Sequence, residues 1–384
     1  MPDSLFFCEL LSNIKQVSVS IDSPDGHSQP SSVHLHASRR ALTVSFGPDI
    51  SHVILPVPID YPSRVLATST THRLPASQAF LSSTSFDAIA DSPPVPWDAS
   101  TLTAEASIHC TTCTSRIIPS LRIRKWKNLP SEHWADLMDL WHCHKPHDEK
   151  GHADGGKYAG VGRILAEPSL GLVDPMYFLL SRDDCENIAC EKHVGTNEAD
   201  TITCQTCEAP LGIVDAKSDG IRLMKWSLLL GCGQESSSNE GDGDRLESYT
   251  MVQWLSAHLL FLVDNTGQRK LLVKPGASLL SQEHLDGSGR RTEEAAEGVH
   301  VWVFNPNTVI TRSGKPTPTR AVKVYYQNLG TKEELDRLGD IETVYLPGAI
   351  YERFKRDLEE VNMGMPKNLR SWGGDWKGGW LERF

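Results

Sequence analysis

Residues 16–57 read QVSVSIDSPDGHSQPSSVHLHASRRALTVSFGPDISHVILPV, and the alternation inside that stretch decides the fold class. In VSVSID (17–22), SVHLHAS (32–38), ALTVSFG (41–47) and HVILPV (52–57), every second side chain is apolar. Successive side chains on a strand point to opposite faces, so such segments bury one face and wet the other. Asp, Gly, Pro and Ser fill the gaps and supply turns. The stretch predicts short antiparallel strands in a sandwich or open barrel.

Working outward, a Ser/Thr/Pro-rich interval at 66–100 loosens the pattern, and LTAEASIHC (102–110) resumes it. A soft boundary near residue 105 follows, with an N-terminal β-rich domain at 1–105 and a second domain at 106–384. GIRLMKWSLLL (220–230), RKLLVKP (269–275), GVHVWVFN (298–305) and AVKVYYQNL (321–329) read as strands from their β-branched and aromatic content. SYTMVQWLSAHLLFLVD (248–264) reads as a helix running into a strand. Ile350, Phe354, Leu358 and Val361 mark one face of a helix over 349–362. The acidic, Ser/Gly-rich insert at 234–248 has nothing to bury and reads as a surface loop. The tail RSWGGDWKGGWLERF (370–384) carries three Trp, which the composition predicts to pack on a sheet. The class is a β-rich α+β fold, with antiparallel, sandwich-like sheets and a few packed helices.

A formal net charge of -11 argues against nonspecific nucleic-acid binding, which draws on neutralised phosphates. The one basic run, RIRKWK (122–127), reads as an exposed strand edge or solvated face. The opening residues lack a basic leader and place Glu9 inside their apolar stretch, a poor signal peptide. No run approaches the roughly 18 apolar residues of a membrane span, so no membrane partner is expected. Nine cysteines, an odd count, favour reduced thiols and metal ligation over disulfides, and hence cytoplasm and nucleus.

Two Cys-x-x-Cys pairs stand out: Cys110 with Cys113 in HCTTCTSRI, and Cys204 with Cys207 in TCQTCEAPLG. Each turn lets two thiolates converge on one ion, and two turns complete a closed, zinc-stapled structural site. A redox dithiol and metal-free buried cysteines are the competing readings; neither pair has the strand-to-helix context of a thioredoxin-like site. Cys185, Cys190 and His193 offer a second cluster whose spacing fits no common pattern, so incidental thiols in a polar loop are preferred. Cys8 reads as a core residue. Cys232, between two glycines in LLLGCGQ, is a candidate nucleophile.

WADLMDLWHCHKP (134–146) predicts an amphipathic helix with Trp134, Leu137, Met138 and Trp141 on one face, capped by Ser131 and stopped at Pro146. At its end stand His142, Cys143 and His144. They allow a ligand set for the chain's own metal, a thiol activated by a neighbouring imidazole, a plug donated to another protein's metal, or a structural corner.

Taken together, LPSEHWADLMDLWHCHKP (129–146), CQTCEAPLG (204–212), MKWSLLL (224–230), HVWVFN (300–305), AVKVYYQ (321–327) and YLPGAIYERF (345–354) resemble the HECT-like family of proteins that bind ubiquitin-conjugating enzymes. The resemblance runs from about residue 105 to the end, while residues 1 to about 100 match only in being β-rich. It implies an E3 ubiquitin ligase that accepts ubiquitin from a conjugating enzyme (E2) and transfers it to substrates. The alternative it implies is a non-catalytic chaperone or inhibitor of the metallo-β-lactamase-type endonuclease of pre-mRNA 3′-end cleavage. There Trp141, His142, Cys143, His144 and Pro146 would form the contact, with Cys143 and His144 reaching the partner's zinc. One departure matters: a HECT enzyme carries ubiquitin on a cysteine near its C-terminus, whereas the last cysteine here is Cys232. Thioester transfer would therefore use Cys232, Cys143 or another thiol not held by metal.

Overall fold

The computed structural model of the chain describes residues 5–23, 28–60, 68–83, 95–129, 164–192, 200–231, 246–276 and 297–384. The helix expected over 134–146 lies outside these residues, as does most of the acidic insert. Contacts group the chain into two compact units, Met1–Pro96 with Thr250–Phe384, and Trp97–Tyr249. The boundary read near residue 105 follows chain order. The units follow hydrogen bonding, which carries the N-terminal strands into a sheet built largely by C-terminal residues.

In the first unit a nine-stranded sheet runs, in spatial order, Ser371–Trp372, Trp376–Glu382, Lys315–Leu329, Gly298–Arg312, Phe6–Leu11, Gln16–Ile21 and Thr71–Pro75. The same edge of Gly298–Arg312 that takes Phe6–Leu11 near its end takes Lys270–Pro275 near its start, with Val273 opposite Val299 and Cys8 opposite Thr311. Thr343–Leu346 then adds parallel to Lys270–Pro275.

A three-stranded sheet, Ser32–Leu35, Ala41–Phe46 and Asp49–Ile54, shares a core with the N-terminal strands. Val33, Leu42, Val44 and Val53 pack in one buried cluster with Cys8, Leu10, Val17 and Val19. All but Cys8 and Leu10 are alternate positions of residues 16–57, so the predicted sandwich is present here.

The helix Met251–Thr266 corrects one reading, because HLLFLVD continues it and the next strand starts only at Lys270. An apolar run cannot by itself distinguish a buried helix from a strand. The ends decide: Thr250 and Gln253 form a capping box, and Gly267 stops the helix in a left-handed conformation, φ 72°. The second long helix, Gly348–Met363, buries Tyr351, Phe354 and Leu358.

In the second unit a seven-stranded sheet runs Ile188–Glu191, Thr201–Cys204, Pro210–Asp215, Gly220–Met224, Tyr177–Leu180, Leu170–Val173 and Lys125–Asn128. The basic run therefore ends in an edge strand, as its bland reading predicts. A four-stranded sheet runs Leu246–Glu247, Leu228–Gly231, Ser107–Cys110 and Arg116–Ile118. GIRLMKWSLLL is not one strand: the turn Lys225–Ser227 breaks it, and the chain passes from one sheet to the other. Lys225 is fully buried at that turn, donates to the Trp97 carbonyl at 3.2 Å, and sits 5.0 Å from the Phe178 ring centroid. Burial pulls its ammonium down to about 7, against the nearby Asp174 and Asp98.

The docking of the N-terminal strand is reinforced by an ion pair, Lys323 Nζ to Glu9 at 2.8 Å, with side chains only 14% and 6% exposed. Removing one member of such a pair strands the other in a dry site. Glu9→Ala is expected to lower unfolding free energy by about 3 kcal/mol, and replacing both residues by leucine to recover most of it. Urea denaturation of the two variants checks this.

Candidate metal centre

Each Cys-x-x-Cys pair occupies a hairpin turn of the second unit. Cys110 ends the strand Ser107–Cys110 and Cys113 lies in the turn to Arg116–Ile118; Cys204 ends Thr201–Cys204 and Cys207 lies in the turn to Pro210–Asp215. The two turns have the same backbone. The Cys110 N–H donates to the Ser115 carbonyl at 2.9 Å and the Thr114 N–H to the Cys110 carbonyl at 2.9 Å. Likewise the Cys204 N–H donates to the Ala209 carbonyl at 2.9 Å and the Glu208 N–H to the Cys204 carbonyl at 2.8 Å. Thr114 and Glu208, each directly after the second cysteine, adopt left-handed conformations at φ 60° and 61°. That kink folds both sulfurs of a pair to one side.

The turns meet sulfur to sulfur. Cys110 Sγ lies 3.7 Å from Cys207 Sγ, and Cys113 Sγ lies 3.6 Å from Cys204 Sγ. All four ligand atoms fall within 4.8 Å of one another. A tetrahedral ion with metal–sulfur bonds of about 2.3 Å sets its sulfurs about 3.8 Å apart, so the four thiols fit one such ion. None of the four is in a disulfide. Cys110 and Cys204 are buried, while Cys113 and Cys207 are half-buried.

Electrostatics favours the same conclusion. Burial opposes ionisation of Cys204, but the N–H groups of Cys207 and Thr206, with the adjacent thiols, hold it down at about 7. Cys207 receives the Ala209 N–H, yet burial and the three thiols around it push it up to about 12. Four thiols this close cannot all ionise unaided, and a bound cation removes the repulsion.

A polar frame holds the two turns together. The Thr206 hydroxyl donates to the Ser115 hydroxyl at 3.1 Å, and the Asn187 amide to the Arg116 carbonyl at 2.8 Å. The Gln205 N–H donates to the Asn187 carbonyl at 2.8 Å, and Arg116 pairs with Glu186 at 2.8 Å. Thr114, Glu208 and Asn187 escape a reading of the cysteine spacing. The shared local pattern, two residues between the second cysteine and the returning strand, is the signal that points to Thr114 and Glu208; nothing local points to Asn187.

The remaining cysteines divide sharply. Cys8 is fully buried among the N-terminal strands, and burial, partly offset by the adjacent Thr311 side chain, pushes its thiol up to about 12. Burial, with Asp184 alongside, also raises Cys185 to about 12. Cys190 is half-buried on an edge strand, opposite Ile202. Among the described residues the four-cysteine group is the one cluster able to hold an ion. Trp141, His142, Cys143, His144, Pro146, His193 and Cys232 lie outside the described residues.

The model of one protein family, described as HECT-like ubiquitin-conjugating enzyme (E2)-binding, matches residues 9–378. The match begins well before residue 105, so the N-terminal strands belong to the family's pattern, consistent with their place in the main sheet. The uncharacterized protein YJR141W of Saccharomyces cerevisiae is 25% identical over 271 residues, covering 70% of this chain and 67% of the relative. The uncharacterized protein C1734.10c of Schizosaccharomyces pombe is 22% identical over 304 residues, covering 76% and 78% respectively. No solved structure matches.

Elemental analysis of the purified chain is expected to give about one tetrahedral metal ion per molecule. Cys110→Ser, Cys113→Ser, Cys204→Ser and Cys207→Ser should each lose it, and Cys185→Ser and Cys190→Ser should retain it. A strong chelator should lower the melting temperature of the wild type and leave that of Cys204→Ser unchanged.

Proposed function

The chain belongs to the HECT-like ubiquitin-conjugating enzyme (E2)-binding family, and from that premise we propose that it is an E3 ubiquitin ligase. It would bind a ubiquitin-charged conjugating enzyme and promote transfer of ubiquitin to substrate lysines. The observation that carries this reading is the family match over residues 9–378, which takes in both compact units. We read the ion as zinc, because a closed four-thiolate tetrahedron suits zinc and leaves no open position for substrate. Its role is to join two hairpins 90 residues apart. Cytoplasm and nucleus are the fitting compartments, since gathered reduced thiols need a reducing environment.

Transfer needs either a thiol acceptor or none. In the covalent route a thiolate attacks the ubiquitin thioester carbonyl, the conjugating enzyme's cysteine leaves as thiolate, and a substrate amine then displaces the acceptor. Four cysteines fit a metal, and Cys8 and Cys185 are held protonated by burial. That leaves Cys143, Cys190 and Cys232 as acceptors, with Cys143 and Cys232 the candidates from sequence.

A reaction of activating enzyme, ubiquitin, a panel of conjugating enzymes and the full chain tests this directly. The expected result is ubiquitination that depends on the chain, with a reductant-sensitive adduct lost in Cys143→Ser or Cys232→Ser. Ubiquitination without an adduct would make the chain a positioning ligase. If no conjugating enzyme binds and no transfer occurs, the ligase reading fails. Loss of a complex with the cleavage endonuclease in Cys143→Ala would then support the chaperone or inhibitor role.

A further inference from the structure

One face of the nine-stranded sheet carries aromatic rings that are not packed away. Trp302 is the centre: Phe304, Tyr325, Trp372 and Trp376 lie with ring centroids 5.2, 5.7, 5.2 and 5.8 Å from it. Trp372 also stacks on Tyr325 at 5.1 Å and 29°. Tyr325 is buried, but Phe304 and Trp372, 6.3 Å apart, are 41% and 47% exposed. The patch is built rather than left over. Gly373 and Gly374, at φ 45° and 69°, turn the edge hairpin, and Gly378 admits the chain so closely that a Cβ there would lie 2.4 Å from the Leu369 carbonyl oxygen.

Lys270 stands over this patch, its Nζ 5.3 Å from the Trp302 centroid and 5.5 Å from that of Trp376. The neighbouring Lys323 is paired with Glu9 at 2.8 Å. Among the described residues Lys270 has no carboxylate partner. A contiguous exposed aromatic patch marks an interaction site, and one uncommitted cation at its edge calls for one anionic group. Single-stranded nucleic acid also stacks on aromatic rings, but it needs a track of free cations for its phosphates. Among the described residues the cations around the rings are few and form no track: Lys270 stands over Trp302, Arg269 donates to the Phe304 carbonyl at 3.4 Å, and Lys323 is paired with Glu9.

We propose that this face docks a short extended segment of a partner protein. That segment offers a proline or aromatic ring to Phe304 and Trp372 and a carboxylate to Lys270. Aromatic-lined grooves take such segments because their extended backbone is ordered at little entropic cost. The site is independent of the ligase reading and of the metal centre.

The test is selection of random dodecapeptides displayed on phage against the full chain, with the Phe304→Ala/Trp372→Ala double variant as counter-selection. Enriched peptides are expected to combine proline or an aromatic residue with Asp or Glu. The corresponding synthetic peptide should lose at least about tenfold in affinity on Trp372→Ala and on Lys270→Glu. Replacing its acidic residue by lysine should restore binding to Lys270→Glu, an outcome that a misfolded variant cannot produce. No enrichment, enriched peptides without acidic residues, equal binding to the double variant, or tighter binding of oligouridylate than of any peptide would overturn the proposal.

Discussion

Buried backbone N–H and C=O groups must find partners along the whole length of a strand. Gly298–Arg312 is fifteen residues long, roughly 50 Å if extended, and no six-residue neighbour can satisfy one of its edges alone. Its hairpin partner Lys315–Leu329 covers the other edge throughout. The open edge is divided, Lys270–Pro275 taking the first part and Phe6–Leu11 the last. Register shifts between Val303 and Thr308 mark where one partner gives way to the next. The discontinuous first unit follows from that requirement, since Phe6–Leu11 and Lys270–Pro275, more than 250 residues apart in sequence, pair with one strand.

The second unit answers a different constraint. Its two sheets meet at hairpin turns far apart in sequence, and four sulfurs within 4.8 Å repel one another once ionised. A tetrahedral ion bound there would convert that repulsion into a joint and make its affinity part of the folding free energy. The same unit buries Arg222 against Asp215 at 2.6 Å and Lys225 against the Trp97 carbonyl. Charges placed this deep add little net stability but tolerate no loss of a partner.

Chemistry that a reading by residue type distributes over nine cysteines is thus concentrated. Four thiols are gathered for an ion, and two are silenced by burial. Reactivity depends on thiolate fraction and access, so Cys8 and Cys185 are poor nucleophiles wherever they stand in the sequence. The aromatic face on the first unit shows the opposite case. The tail Trp residues look like packing in sequence, and Trp380 does pack, 4.1 Å from Phe7, while Trp372 is held in water beside a cation-bearing ring cluster.

Local rules carry over from sequence wherever the information is local. The period-two alternation of residues 16–57 is enough for the sandwich strands, because which face a side chain takes depends only on its parity. The spacing of Cys110 with Cys113 and of Cys204 with Cys207 is enough for two metal-ligating turns, because each turn closes within a few residues. Length of the helix Met251–Thr266 was ambiguous, since an apolar run reads alike in a buried helix and a strand until its caps are seen. What only the tertiary structure decided is pairing at a distance: that the two turns share one tetrahedron, that Phe6–Leu11 completes an edge left by Lys270–Pro275, and that Trp372 folds over Tyr325 beside Lys270. These depend on loop closure across tens to hundreds of residues, which no local period encodes.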